Sequence, residues 1–154
     1  MTREYTYRVL RTHVCLAQYK QSKYVYLAAC PETGENYSLI LPYANQNCME
    51  IFMEGVSETF SNYRIIMAMD RASWHKSITN GKWENIVPLF QPPYSPETNP
   101  VENLWHHIRE DGGFKNITFN TLKEVELKLV DKLKKLDEET VKSITLFRWI
   151  KEAI

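Results

Sequence analysis

Residues 64–69, RIIMAM, form a nearly unbroken apolar run that stops at Asp70. A strand apolar on both faces must be covered on both faces, so it belongs in a sheet with helices on either side. Residues 24–30, YVYLAAC, make the same demand. Strand alternation puts Tyr26, Ala28 and Cys30 on one face and Val25, Leu27 and Ala29 on the other, and both sets are fairly apolar. A layered α/β domain meets this requirement. A chain of 154 residues, 44% hydrophobic, has room for one such domain with a real core.

The remaining patterns supply its parts. HVCLAQY (13–19) and NYSLILP (36–42) read as further strands, and YTYRVL (5–10) is a candidate for another. PETGE (31–35) is a turn in which Gly34 can adopt a positive φ. From 44 to 60, Met49, Phe52, Met53, Val56 and Phe60 recur at helical spacing, with Asn45 or Asn47 as cap. NIVPLFQ (85–91) reads as a strand whose Pro88 cannot donate to a ladder, which puts it at an edge or a bulge. A helix opens at Asn99-Pro100 and stops at Asp111-Gly112-Gly113. Another starts near Thr121, with Leu122, Val125, Leu129, Val130, Leu133 and Leu136 facing the core, and a short one spans 139–152. This order suits a ribonuclease H-like mixed sheet flanked by helices. The whole of 1–154 is expected to be a single domain, with 115–154 as a C-terminal helical extension packed on it.

Charge and cysteine usage narrow the function. Lys plus Arg equals Asp plus Glu, so the net charge is zero. That removes the easiest argument for nucleic-acid binding, a strongly basic domain, but does not exclude a local basic groove. Cys15, Cys30 and Cys48 contain no CxxC pair, which argues against a disulfide framework or thiolate zinc site and for a reducing cytoplasm. No window reaches the roughly 20 apolar residues that span a bilayer, and the N-terminus has no signal-peptide run.

Two acids stand out, and each has an ordinary structural explanation. Asp70 ends the buried strand, where a turn or N-cap residue is common. It is also where open α/β sheets place ligands. Glu102 falls at the N3 position if Asn99 caps the helix and Pro100 is N1, which is the acid of a capping box. Taken together, a carboxylate at a strand end and another at a helix start can converge on one hard cation such as Mg²⁺ or Mn²⁺. Two such ions, roughly 3.5–4 Å apart, can clamp the attacking and leaving oxygens of a phosphodiester. Pro92, Pro93, Pro96 and Pro100 restrict the approach to Glu102, as a metal ligand needs.

The blocks DRASWHKS (70–77) and QPPYSPETNPVENLW (91–105) resemble the second half of the catalytic core of DDE transposases of the mariner-like bacterial insertion-sequence superfamily. That family carries a D-N-x-x-x-H-type block and an L-P-P-Y-S-P-x-L-N-P-I-E-x-x-W block. This chain departs at Arg71, Gln91, Thr98 and Val101. YLAACPETGENYSLILPYAN resembles the family's second and third strands, and SITLFRWIKEAI its C-terminal helix, so the likeness runs over about 20–154. It implies a ribonuclease H-like fold and DNA strand cleavage and joining with Mg²⁺ or Mn²⁺. By position, Asp70 is then the second acid of the triad and Glu102 the third, both catalytic and both metal ligands.

The first acid of that triad lies on the family's central strand, upstream of the match to 24–30. No Asp precedes Asp70 here. Among earlier carboxylates, Glu4 is the nearest substitute. The family's N-terminal DNA-reading region is also absent, so the chain resembles a truncated transposase or the second product of a split frame, lacking the usual first strand. Residues 5–10 or 12–19 are expected to fill that strand's slot, within the chain or by exchange in a dimer.

Arg71, His75, Lys76 and Arg109 are candidate DNA contacts. Trp105 is expected to pin the Glu102 helix to the sheet. His106 and His107 are adjacent and make a poor zinc pair. The expected partners are DNA at transposon ends and a second copy of the chain, with no membrane. An inactive remnant that folds, oligomerises and interferes with intact transposase is the alternative, and a nuclease of the same fold in repair or RNA processing is a third.

Overall fold

The computed structural model describes residues 12–16, 21–69, 81–91, 100–110, 114, 119–147 and 152. The elements are β1 (Thr12–Leu16), β2 (Gln21–Ala29), β3 (Asn36–Leu41), α1 (Gln46–Thr59), β4 (Ile65–Met69), β5 (Ile86–Phe90), α2 (Pro100–Glu110), α3 (Leu122–Lys134) and α4 (Glu138–Thr145). The antiparallel strands run in the order β1-β2-β3, and β4 pairs with β5 in parallel.

The slot beside β2, on the edge away from β3, is taken in this same chain by residues 12–16, along the Gln21–Val25 half of β2. The other candidate, 5–10, lies outside the described residues. β2 begins at Gln21 rather than at Tyr24, where its apolar run begins. Gln21, Ser22 and Lys23 look like loop by composition, but their backbones pair with Leu16, Cys15 and Val14. Pairing across the hairpin overrides residue preference here. Pro88 sits opposite Met67, and among the described residues β5 pairs with β4 alone, which gives Pro88 the edge position it requires.

The two faces of β2 are both buried. Tyr26, Ala28 and Cys30 pack with the α1 stripe of Met49, Phe52, Met53 and Val56, and Ile65, Met67 and Met69 of β4 join the same cluster. Val25, Leu27 and Ala29 pack with α2, α3 and α4. The layers are therefore helix, sheet, helix, and α1 covers β2 and β4 alike. Burial raises the Cys30 thiol above its ordinary range, so it behaves as a core residue.

Local polar contacts lock this arrangement. Asn45 caps α1 by accepting from the Cys48 N–H at 2.9 Å. Past the other end, the Asn85 amide donates to the carbonyls of Ser57 and Phe60 at 3.1 and 3.3 Å, and accepts from the Ser57 hydroxyl at 2.6 Å. The Trp83 indole donates to Glu54 at 2.8 Å. The chain entering β5 is thus tied to α1, which sets β5 beside β4. Gly34 has φ of 83°, and a Cβ there would collide with the Glu138 carbonyl, so this turn packs directly on the start of α4. Asp137 caps α4, accepting from the Thr140 N–H at 2.7 Å, and that bond holds its carboxyl below the usual range.

α4 ends at Thr145, short of the 152 expected from periodicity, because Leu146 leaves the helical region at φ −80° and ψ 80°. Among the described residues, no helix is long and apolar enough to cross a membrane.

Gly55 lies inside α1, where alanine normally stabilises a helix by about 1 kcal/mol. Here a Cβ would run into the Tyr37 hydroxyl and ring. Gly55→Ala is expected to destabilise the fold by about 1–3 kcal/mol through overpacking. Urea unfolding midpoints check this, and a midpoint raised by the substitution would disprove the close fit.

Candidate functional site

The buried strand β4 ends at Met69, and Asp70 follows it in the chain. Asp70 itself, with Arg71, His75 and Lys76, lies outside the described residues, as does the proline-rich stretch 92–99. The Gln91 N–H donates to the Met69 carbonyl at 2.9 Å, so pairing persists to the carboxyl ends of β4 and β5. Ligands of open α/β sheets bind at such ends.

α2 starts at Pro100 and places Glu102 in its first turn. The helix is positioned by a stripe at i, i+3, i+4 and i+7: Val101, Leu104, Trp105 and Ile108 are all buried, in one cluster with Val25, Leu27 and Ala29 of β2. Trp105, 1% exposed, pins α2 as expected from its sequence position. Glu102 lies beside this stripe, half-buried, near the positive end of the helix dipole. Its orientation therefore follows from the packing of its neighbours. Arg109, two turns on and on the same side of the helix, is exposed. His106 is exposed and His107 half-buried, so they diverge as adjacent helical residues must.

Among the described residues, no three His, Cys, Asp or Glu side chains come together as a metal cluster. Two described oxygen donors flank the proline-rich stretch in the chain, the Glu102 carboxylate on one side and the side-chain oxygen of Gln91 on the other. The latter is buried without a hydrogen-bond partner among the described residues. An orphaned oxygen and a carboxylate suit a hard divalent cation, whereas the described thiols, Cys30 and Cys48, are buried in the α1 cluster. The sequence marks Gln91 only as a departure from a motif. Its orphaned oxygen depends on tertiary packing and has no sequence signal.

The family described as DDE superfamily endonuclease matches residues 6–126 of this chain. An uncharacterized protein of Sinorhizobium fredii (strain NBRC 101917 / NGR234), y4pE/y4sA, is 33% identical over 89 residues, covering 57% of this chain and 66% of the relative. Among solved structures, the Mos1 Strand Transfer Complex aligns with a TM-score of 0.72 at 13% identity, over 98% of this chain and 52% of that one. The catalytic core domain of HTLV-2 integrase, in complex with magnesium and in a dimeric form, aligns at 0.51 and 8% identity, over 89% and 90% of the two chains. The chain thus spans about half the length of the Mos1 chain. At these identities the likeness establishes the fold, which is ribonuclease H-like.

Proposed function

Because this chain belongs to the DDE superfamily endonuclease family, we propose that it is the catalytic-core part of a transposase that cleaves and joins DNA strands with Mg²⁺ or Mn²⁺. The observation that carries this reading is the seating of Glu102. A helix that starts at Pro100 is pinned by Val101, Leu104 and Trp105 so that one carboxylate is presented in its first turn. The strand that leads to Asp70 is buried in the same domain.

Asp70 and Glu102 would hold the cation through carboxylate oxygens and together would supply two negative charges against its two positive ones. Such a cation, when bound, would supply charge stabilisation for phosphodiester cleavage. The rigid helix start keeps Glu102 from turning away, and the apolar stripe beneath it excludes water from one side. With a net charge of zero, DNA binding falls to local cations. Arg71, His75, Lys76 and Arg109 are the proposed phosphate contacts. The protein works in the bacterial cytoplasm at transposon ends, as a homo-oligomer and in the simplest case a dimer.

A second reading rests on one observation, that no aspartate precedes Asp70 in these 154 residues. In that reading the chain folds, oligomerises and interferes with intact transposase without cutting. The test is a nicking assay on DNA bearing the element's ends, with Mn²⁺ or chelator and with Asp70→Ala. Metal-dependent nicking lost in the variant supports the first reading. Nicking absent throughout, with DNA or transposase still bound, supports the second.

A further inference from the structure

β3 is the outer strand of its sheet, and among the described residues it pairs with β2 alone. Alternate residues of such a strand turn their backbone N–H and C=O groups away from the sheet, where an extended segment can pair with them. α1 packs over this strand, and a groove of about 650 Å³ runs between the two. Tyr37 and Leu39 of β3 line one wall. On the other, Gly55 lets the Tyr37 ring come close, and Ile51, one turn earlier, is 56% exposed. An open isoleucine in a concave lining is a place where a partner's side chain gains burial.

The rim of the groove is acidic. Glu50, Glu54 and Glu58 stand at i, i+4 and i+8 of α1, in one row along it. Lys82 pairs with Glu50 at 2.7 Å. Glu54 accepts from the neutral Trp83 indole, and among the described residues neither Glu54 nor Glu58 has a basic partner. Burial and then the charge of Glu58 raise the Tyr37 phenol above its ordinary range, so that carboxylate lies toward β3. Such a rim repels a phosphate backbone, and equally the same rim on a second copy of the chain, whereas it attracts a cation. Four residues of a helix rise about 6 Å, and alternate residues of an extended chain stand about 6.6 Å apart. The row of carboxylates therefore matches basic side chains at every second position of a strand. We propose that this groove docks an extended cationic segment of a partner protein. The segment pairs with the outer edge of β3, sets Lys or Arg at alternate positions against Glu54 and Glu58, and lays their aliphatic stems over Ile51.

Fluorescence anisotropy of a labelled heptapeptide alternating lysine and valine, titrated with the full chain, tests this. A glutamate–valine heptapeptide is the control and is expected not to bind. Glu54→Gln combined with Glu58→Gln is expected to weaken binding of the lysine peptide about tenfold, and Ile51→Lys to abolish it. All three positions are exposed, and thermal melts check that each variant is folded. Glu138→Gln combined with Glu139→Gln, on acids exposed on α4 and outside the groove, is expected to leave the affinity unchanged. Of two lysine peptides N-methylated at alternate residues, the one methylated on the edge that faces β3 is expected to lose binding. No binding by the unmodified chain, equal weakening by the two acid pairs, or equal binding of the two methylated peptides would overturn the proposal. Dimerisation that Ile51→Lys abolishes and the lysine peptide does not compete with would also overturn it, and would assign the groove to a second copy.

Discussion

Glu102→Gln is expected to weaken Mn²⁺ binding by at least about 100-fold and to abolish metal-dependent nicking, while leaving the fold nearly as stable as before. The substitution separates the two roles that position 102 can serve. Gln at N3 still completes a capping box, and the buried stripe of Val101, Leu104, Trp105 and Ile108 is untouched. Losing one negative charge at the start of α2 costs about 0.3–1 kcal/mol. In the proposed site, in contrast, the carboxylate would be half of the negative charge available to a cation shared with Asp70. Calorimetric Mn²⁺ titration and thermal melts together check the prediction. Unchanged affinity with lowered stability would mean that Glu102 is a cap and nothing more.

Trp105→Ala is expected to give the largest stability loss of any single substitution in α2, about 3–5 kcal/mol. Among the described residues, Trp105 is the largest of the fully buried side chains, in the cluster that joins α2 to β2, α3 and α4. At this chain length, that loss lowers the melting temperature by roughly 6–20 °C. Trp105→Phe is expected to cost markedly less. It keeps most of the ring volume and removes an indole N–H that is buried without a partner among the described residues. Trp105 also pins the helix that carries Glu102. At temperatures where Trp105→Ala remains folded, Mn²⁺ affinity should therefore fall as well. Equal melting temperatures for the Ala and Phe variants would show that the ring does not anchor α2.

How legible this molecule is in its sequence depends on the range of the interaction. The stripe Met49, Phe52, Met53 and Val56 and the two-faced pattern of 25–30 read directly, because helix and strand periods are local and burial follows them. The cap of α1 reads to within two positions, Asn45 or Asn47, since cap and capped N–H lie three residues apart, and the structure selects Asn45. The start of β2 at Gln21 does not, because polar residues enter that strand through a partner strand. The same holds for Gly55, whose lack of a side chain makes room for Tyr37 on β3, and for the orphaned oxygen of Gln91.

The sequence by itself determined that this chain must be a sheet covered on both faces, and that Glu102 opens a helix behind a stiff approach. Both follow from apolar alternation, proline and capping chemistry, which act within a few residues. Tertiary structure decided which segment lies beside β2 and that β4 and β5 run parallel. It also set Gln91 against the residue before Asp70. Strand pairing joins backbone groups far apart in sequence, and backbone groups are alike in every residue, so no local pattern specifies their partners.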